Sequence, residues 1–348
     1  MTMNNNFLNN LLNSISVSGY EEQVQDIVEE EMKDYVDEVR RDEMQNVTCV
    51  INPNSDIRIM LSAHADEIGL MISNIREDGR LQVIDRGGIV PSTYPGHAIS
   101  IKTSKGIVYG VVEAYRELFK EKDLGTKQFL IDIGAKDRED ALSYVSIGDP
   151  IVLDTTIRKL ANDKFTARAL DDRLGVYIIM EAIKRAKKQG CTVGVYAAST
   201  TGEETTKTGA YWTSTRINPS MAIVVDVTYT SDCSGMDPAE MGTVLLGGGP
   251  VLCNSPIVVK ALNTKMEECA KTAGIQIQRE AASRLSYTDG DKIHFSNQGV
   301  PTVLVSIPLR YMHMPAEVAD EKDVEGFDEF IKQYQKGLAL ERVAIDVM

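Results

Sequence analysis

The hydrophobic positions of the chain change period several times, and the changes divide it. Phe7, Leu8, Leu11, Leu12 and Ile15 recur at helical spacing and predict a short amphipathic helix. Ser18 and Gly19 break that pattern. A second, acidic helix is predicted over 21–36, with Val24, Ile27 and Val28 inward. A short strand follows at 47–51. The run IRIMLSA at 57–63 then has the unbroken apolar texture of a strand buried on both faces. From about residue 70 to 163 the texture changes. Short alternating segments at 81–84, 98–101 and 106–112 are separated by Gly, Pro and Ser turns, the signature of a small all-β module. A helical patch at 138–144 interrupts it, and 150–153 resumes it.

After Asp163 strand and helix alternate again. Helix is predicted at 174–188, strand at 193–198 and 221–225, mostly helix over 256–273, strand at 302–307 and a closing helix at 324–339. Such alternation predicts an α/β domain with helices on both faces of its sheet. The β module lies between two α/β segments and so reads as an insertion. The expected organisation is an α/β domain formed by 1–69 and 164–348, around a module at 70–163.

Composition narrows the function. At 348 residues, one large domain with a smaller one is the natural division. The 43% hydrophobic and 25% charged fractions are those of an ordinary globular protein. A net charge of -14 opposes a nucleic-acid partner, which needs a basic footprint, but suits cation binding. The five cysteines are scattered without a C-x-x-C pair, so neither a zinc ribbon nor a disulfide framework is expected, and a reducing compartment is. The N-terminal residues lack a basic region followed by an apolar core, and no run approaches about 18 apolar residues. The expectation is a cytoplasmic protein without a membrane span.

The metal-capable residues fall at strand ends. His64 and Asp66 follow the 57–63 strand, Glu203 and Glu204 the 193–198 strand, Asp226 the 221–225 strand and His313 the 302–307 strand. In open α/β sheets ligands bind outside the carboxyl ends of strands. Asp171 and Asp172 precede the 174–188 helix and can reach the same edge. Singly, each has an ordinary explanation: a structural histidine, an N-cap pair, solvated glutamates. Their convergence on one edge does not. Two borderline cations call for mixed imidazole and carboxylate ligands, with one carboxylate shared between them. Cations so held activate a water, and a neighbouring carboxylate that is not a ligand can take its proton. Adjacent glutamates suit that division, because consecutive side chains point different ways.

At these residues the chain resembles the tetrahedral, or glutamyl-type, dinuclear aminopeptidases. The motifs are HADEIG at 64–69, ALDDR at 169–173, TTGEE at 200–204, VDV at 225–227 and PLRYMH at 308–313. VSGYE at 17–21, FLIDIGA at 129–135, LGGGP at 246–250, and Thr288-Asp289 followed by Ile293-His294 agree with it in collinear order. The resemblance implies a zinc-peptidase α/β fold with an inserted β-barrel used in assembly. It implies that His64 and Asp226 hold one metal, zinc or cobalt, that Glu204 and His313 hold the other, and that Asp171 bridges them through a residue whose peptide bond to Asp172 is cis. Glu203 would be general base and acid, and Asp66 would accept from the second imidazole nitrogen of His64. The substrates would be short peptides with a free N-terminus, and the assembly dimers joined into a hollow dodecamer. The sequence departs from the family at Gly202, where a Gln is usual, in the polar stretch 205–208, and at Met314. These departures bear on the loop near the specificity pocket; Arg284 and Arg310 could favour acidic side chains or, at least as readily, form structural ion pairs.

Other readings remain open at this point. An N-deacylase or another peptidase could use the same metals. A glycosidase would give no role to the histidines. A silent assembly protein would have no need of the acidic cluster.

Overall fold

Two β structures organise the chain in the computed structural model, which describes residues 5–326. The larger is an eight-stranded sheet. Its strands run, in spatial order, Glu38–Arg41, Val47–Ile51, Gly194–Thr200, Arg58–His64, Met221–Tyr229, Thr302–Leu309, Val251–Asn254 and Gln278–Ala281. The four strands from Gly194–Thr200 to Thr302–Leu309 are mutually parallel, so their carboxyl ends share one edge. The remaining strands make the sheet mixed, since Val47–Ile51 and Val251–Asn254 join it antiparallel.

The continuous apolar runs follow from cover on both faces. Ile59, Leu61 and Ala63 face the cluster that includes Leu174, Ile178 and Ile179 of the Leu170–Lys188 helix. Met60, between them, faces the opposite cluster with Ala210, Ile217 and Ile293. Each such fully buried Leu or Ile contributes roughly 1.5–3 kcal/mol. The N-terminal helices Asn6–Asn13 and Glu22–Met32 join the first cluster through Leu8, Leu11, Val24 and Val28.

The smaller structure is a closed barrel of Gly69–Ile75, Leu81–Arg86, Ile131–Asp132, Gly106–Val112, Ala98–Thr103 and Pro150–Leu153. Closure removes sheet edges, and the interior has its own core of Leu70, Ile72, Leu81, Val83, Ile99, Ile101 and Ile151. A third, three-stranded sheet of Arg158–Lys159, Lys164–Ala167 and Glu317–Asp320 leads the chain from barrel back to main sheet. The expected α/β class with an inserted barrel is the fold observed.

Local expectations differ from it in places. The second helix ends at Met32, short of residue 36. The helix expected from 256 begins at Lys260, because Val258 is bridged to Thr302 instead. Met221–Tyr229 runs past Val225, so Asp226 lies inside a strand rather than beyond its end. Most of the closing helix expected at 324–339 lies outside the described residues. Three kinds of element escaped the reading. Gly69–Ile75 opens the barrel, Val251–Asn254 and Gln278–Ala281 are four-residue strands, and the Thr208–Ile217 helix is Thr- and Ser-rich with a weak apolar stripe.

One buried group ties the N-terminal segment to the sheet edge. Arg173 is fully buried; its Nη1 donates to the carbonyls of Leu11 and Ser14, both at 2.8 Å. Its Nη2 donates to Ser16 Oγ at 2.6 Å and Glu67 Oε1 at 2.5 Å, and Arg168 also pairs with Glu67. Burial works against ionising Glu67, but the two guanidiniums hold its carboxyl below the ordinary range. Arg173→Met should therefore destabilise the fold by about 3 kcal/mol, at the low end for breaking a buried pair because Arg168 still faces Glu67. A urea unfolding curve with an unchanged midpoint and slope would contradict this.

Candidate active site

Sheet register brings the site together before any side chain is considered. Thr200 pairs with His64, and Val224 pairs with Ser62, so Asp226 stands level with His64. His64 is the last residue of its strand and is buried. Its Nε2 lies 3.0 Å from Asp171 Oδ1, 3.9 Å from Glu203 Oε2 and 4.0 Å from Asp226 Oδ1. Its Nδ1 faces Asp66, at 3.2 Å from the carbonyl and 3.4 Å from the carboxylate. The Asp66 carboxylate also accepts the backbone N–H of Glu203 at 3.0 Å and of Glu204 at 3.1 Å. A single buried carboxylate thus orients the imidazole and pins the turn that displays both glutamates.

Asp171 is displayed by a broken helix start. Ala169 is left-handed with φ 55°, and Asp171 and Asp172 have non-helical angles before the helix becomes regular. The Asp171–Asp172 peptide is cis. While Asp171 Oδ1 faces His64, its Oδ2 lies 3.1 Å from His313 Nε2. His313 Nε2 is also 3.5 Å from Glu204 Oε2. Two donor sets result, His64 with Asp171 and Asp226, and Asp171 with Glu204 and His313, and within each the ligand atoms lie within 4.8 Å of one another. Asp171 belongs to both.

Glu317 braces this arrangement and was not anticipated. It accepts the backbone N–H of Leu170 at 2.8 Å, Asp171 at 3.3 Å and His313 at 3.0 Å. The pairing of Ala167 with Glu317 in the three-stranded sheet puts it there. Nothing in its sequence surroundings marks it, since it is one Glu in a short strand. The barrel also reaches the site: His313 Nδ1 lies 3.1 Å from the Gly88 carbonyl. A Cβ at residue 88 would stand 3.1 Å from that same nitrogen, so any larger residue there would press on the imidazole. The other histidines are elsewhere, His97 exposed on the barrel and His294 on the Gly290 carbonyl. Arg310 is engaged by Asp232 at 2.6 Å and does not line the cleft, nor does Arg284.

The electrostatics show a charge imbalance. Burial, and after it the charge of Asp171, pushes the Glu204 carboxyl well above its ordinary range. Burial does the same to Asp226, reinforced by Asp171 and Glu203 against the opposing His64. Glu203 is raised to about 7 by burial, with His64 and Lys207 opposing. Burial works against ionising Asp171, but the two imidazoles hold it below the usual range. The acidic groups outnumber their protein cations, and added positive charge among them would relieve the strain on Glu203, Glu204 and Asp226. They line a cleft of about 490 Å³ together with Thr228, Tyr229, Tyr287 and Lys207.

The sequence and the fold both match a known peptidase family. A family model for the M42 glutamyl aminopeptidases matches residues 45–330. The chain belongs to the M42 family. It is therefore a hydrolase acting on peptides. It is 33% identical over 325 residues to the lysyl aminopeptidase of Pyrococcus furiosus, covering 90% of this chain and 92% of that one. Among solved structures, it is similar to the TET aminopeptidase of the marine sediment archaeon Thaumarchaeota archaeon SCGC AB-539-E09. The TM-score there is 0.91 at 30% identity, over 98% of this chain and 97% of that one. It is also similar to the Pyrococcus horikoshii TET1 peptidase, which can assemble into a tetrahedron or a large octahedral shell. In that case the TM-score is 0.84 at 30% identity, over 94% of this chain and 97% of that one.

Because Glu317 fixes the backbone of Asp171 and His313 together, Glu317→Gln should weaken divalent-cation binding about 10- to 100-fold. Competition titration against a chromophoric chelator measures it. Affinity equal to the unaltered protein would mean the brace is unnecessary.

Proposed function

We propose that this chain is an aminopeptidase that removes the N-terminal residue of short peptides, using two divalent cations. His64, Asp171 and Asp226 would hold one, and Asp171, Glu204 and His313 the other. The observation that carries this reading is Asp171, whose two oxygens each face a different histidine. The excess of buried carboxylate supports it, and the mixed imidazole and carboxylate donors suit zinc or cobalt. When bound, such cations supply Lewis acidity to a peptide carbonyl and lower the pKa of an attacking water.

The chain's own residues do the rest. Glu203 is not in either donor set, yet its Oε2 faces His64 Nε2 from 3.9 Å. It accepts the proton of the attacking water and returns it to the leaving amine. Burial raises it to about 7, matched to proton exchange near neutrality. Asp66 keeps His64 and the Glu203–Glu204 turn in register. The acidic lining receives the free α-amine of the substrate, and an acylated amine has no charge to offer it.

The module at 70–163 serves self-association in this proposal, between catalytic segments 1–69 and 164–348. Dimers join into a tetrahedral dodecamer, a reading supported by the assemblies of the Pyrococcus horikoshii relative. Enclosed sites would admit peptides and exclude folded proteins. The unpaired cysteines Cys49, Cys191, Cys233, Cys253 and Cys269 support a cytoplasmic setting. Among the described residues no helix is long and apolar enough to cross a membrane.

The test is a panel of aminoacyl-nitroanilides and their N-acetylated forms. The free amines should be cleaved, the blocked ones not, and chelation should abolish activity that cobalt or zinc restores. Comparable turnover of free and blocked substrates would favour a deacylase or endopeptidase instead. Glu203→Gln should keep its cations and lose about 10²- to 10⁴-fold in turnover; near-normal turnover would place the base elsewhere.

A further inference from the structure

The polar stretch after the paired glutamates puts a cation against the proposed base. Lys207 Nζ lies 3.0 Å from Glu203 Oε1. It also hydrogen-bonds Asp291 Oδ2 at 3.4 Å. Asp291 is itself immobilised: Oδ1 accepts from both the N–H and the hydroxyl of Ser286 at 2.8 Å, and Oδ2 accepts the Tyr287 N–H at 2.9 Å. The ammonium is therefore held at a fixed point rather than swinging on a free stem. Its backbone is fixed as well. Lys207 adopts φ 57°, a left-handed conformation unusual for a side-chain-bearing residue, and its N–H closes the turn on the Gly202 carbonyl at 2.7 Å. Non-glycine residues hold such angles where surrounding structure demands it, and these places cluster at functional sites. The Tyr287 ring, 5.8 Å from the ammonium, adds a further attraction on its open side.

Among the residues lining the cleft, Lys207 is the one carrying a cationic side chain of Lys or Arg type. Its charge is already committed to two carboxylates, which leaves little to recruit an acidic substrate. Its contact instead discriminates between the two oxygens of Glu203. Oε1 is in ion-pair contact with the ammonium, and Oε2 is the one turned toward His64. We infer that Lys207 is the positioning residue of Glu203: it anchors Oε1 and so presents Oε2 to the reacting centre as the proton acceptor. This inference rests on the aminopeptidase reading above.

The experiment is a double-mutant cycle on metal-loaded protein, using a free aminoacyl-nitroanilide. It compares the unaltered chain with K207M, K207R, E203Q and the E203Q/K207M pair, alongside metal content and a crystal structure of K207M. The expected result is a kcat for K207M lower by about 10²-fold, the scale of a displaced catalytic group, with KM and metal content little changed. K207R should recover most of the loss. K207M should add nothing in the E203Q background, because Lys207 acts through that carboxylate. The Glu203 carboxylate should be rotated away from His64 in the K207M crystal. Retained kcat in K207M, a rise in KM alone, or a further loss on top of E203Q each overturns the inference while leaving the aminopeptidase reading intact. A metal-loaded, unaltered chain that cleaves no free aminoacyl substrate overturns both.

Discussion

The structure is governed by a set of carboxylates crowded where water is scarce. Asp171, Glu203 and Asp226 are buried, and Glu204 stands beside them at the carboxyl edge of four parallel strands. Two imidazoles and one ammonium are the positive partners on hand. Removing like charges from water costs several kcal/mol each unless they are compensated. Two further carboxylates add to that crowding and are themselves solvated by the backbone. Asp66 and Glu317 spend their lone pairs on backbone N–H groups, and in doing so fix the turns that present Glu203, Glu204, Asp171 and His313. What stays uncompensated is the charge of Glu204 and Asp226 beside Asp171, and the proposed cation pair answers it. The geometry of Asp171, one oxygen toward each histidine, is what the proposal of two cations rests on.

The rest of the architecture supplies rigidity to that edge. The barrel begins at Gly69, two residues after Glu67, and the chain returns from it through Lys164–Ala167 to the Asp171 turn. It therefore sits between two loops of the site, and the Gly88 carbonyl rests against His313. A barrel placed this way contributes to the site even though it supplies no donor to either ligand set. Behind the loops, Arg173 and Arg168 clamp Glu67 and the carbonyls of the first helix end. The N-terminal helices are thus part of the frame of the site rather than an appendage. The eightfold sheet, the clamp and the barrel converge on the same few residues.

Much of this was legible in the chain. Strands such as 57–63 and 302–307 announced themselves because both faces are covered, which leaves continuous apolar runs. Charged residues emerging from those runs could then be assigned to one edge. His64, Asp171, Glu203, Glu204, Asp226 and His313 do meet there. The roles of Glu317 and Lys207 were not legible. Glu317 acts through backbone hydrogens brought near by strand pairing, and pairing leaves no periodic trace in a four-residue strand. Lys207 sits in a turn whose left-handed angle no composition rule marks for lysine. The Thr208–Ile217 helix was hidden for a related reason: its inward contacts include hydroxyls, such as Ser214 against Ser296, in place of an apolar stripe.

Metal content reports whether Asp171 is shared by two cations, as proposed. The unaltered protein, dialysed against zinc or cobalt and then freed of loose ions, should retain two per chain by elemental analysis. Asp171→Asn removes one charge from both donor sets at constant shape and should lose tightly held metal from both positions. Two ions retained as firmly in that variant as in the unaltered protein would contradict the shared carboxylate, and with it the account of why the site is built as it is.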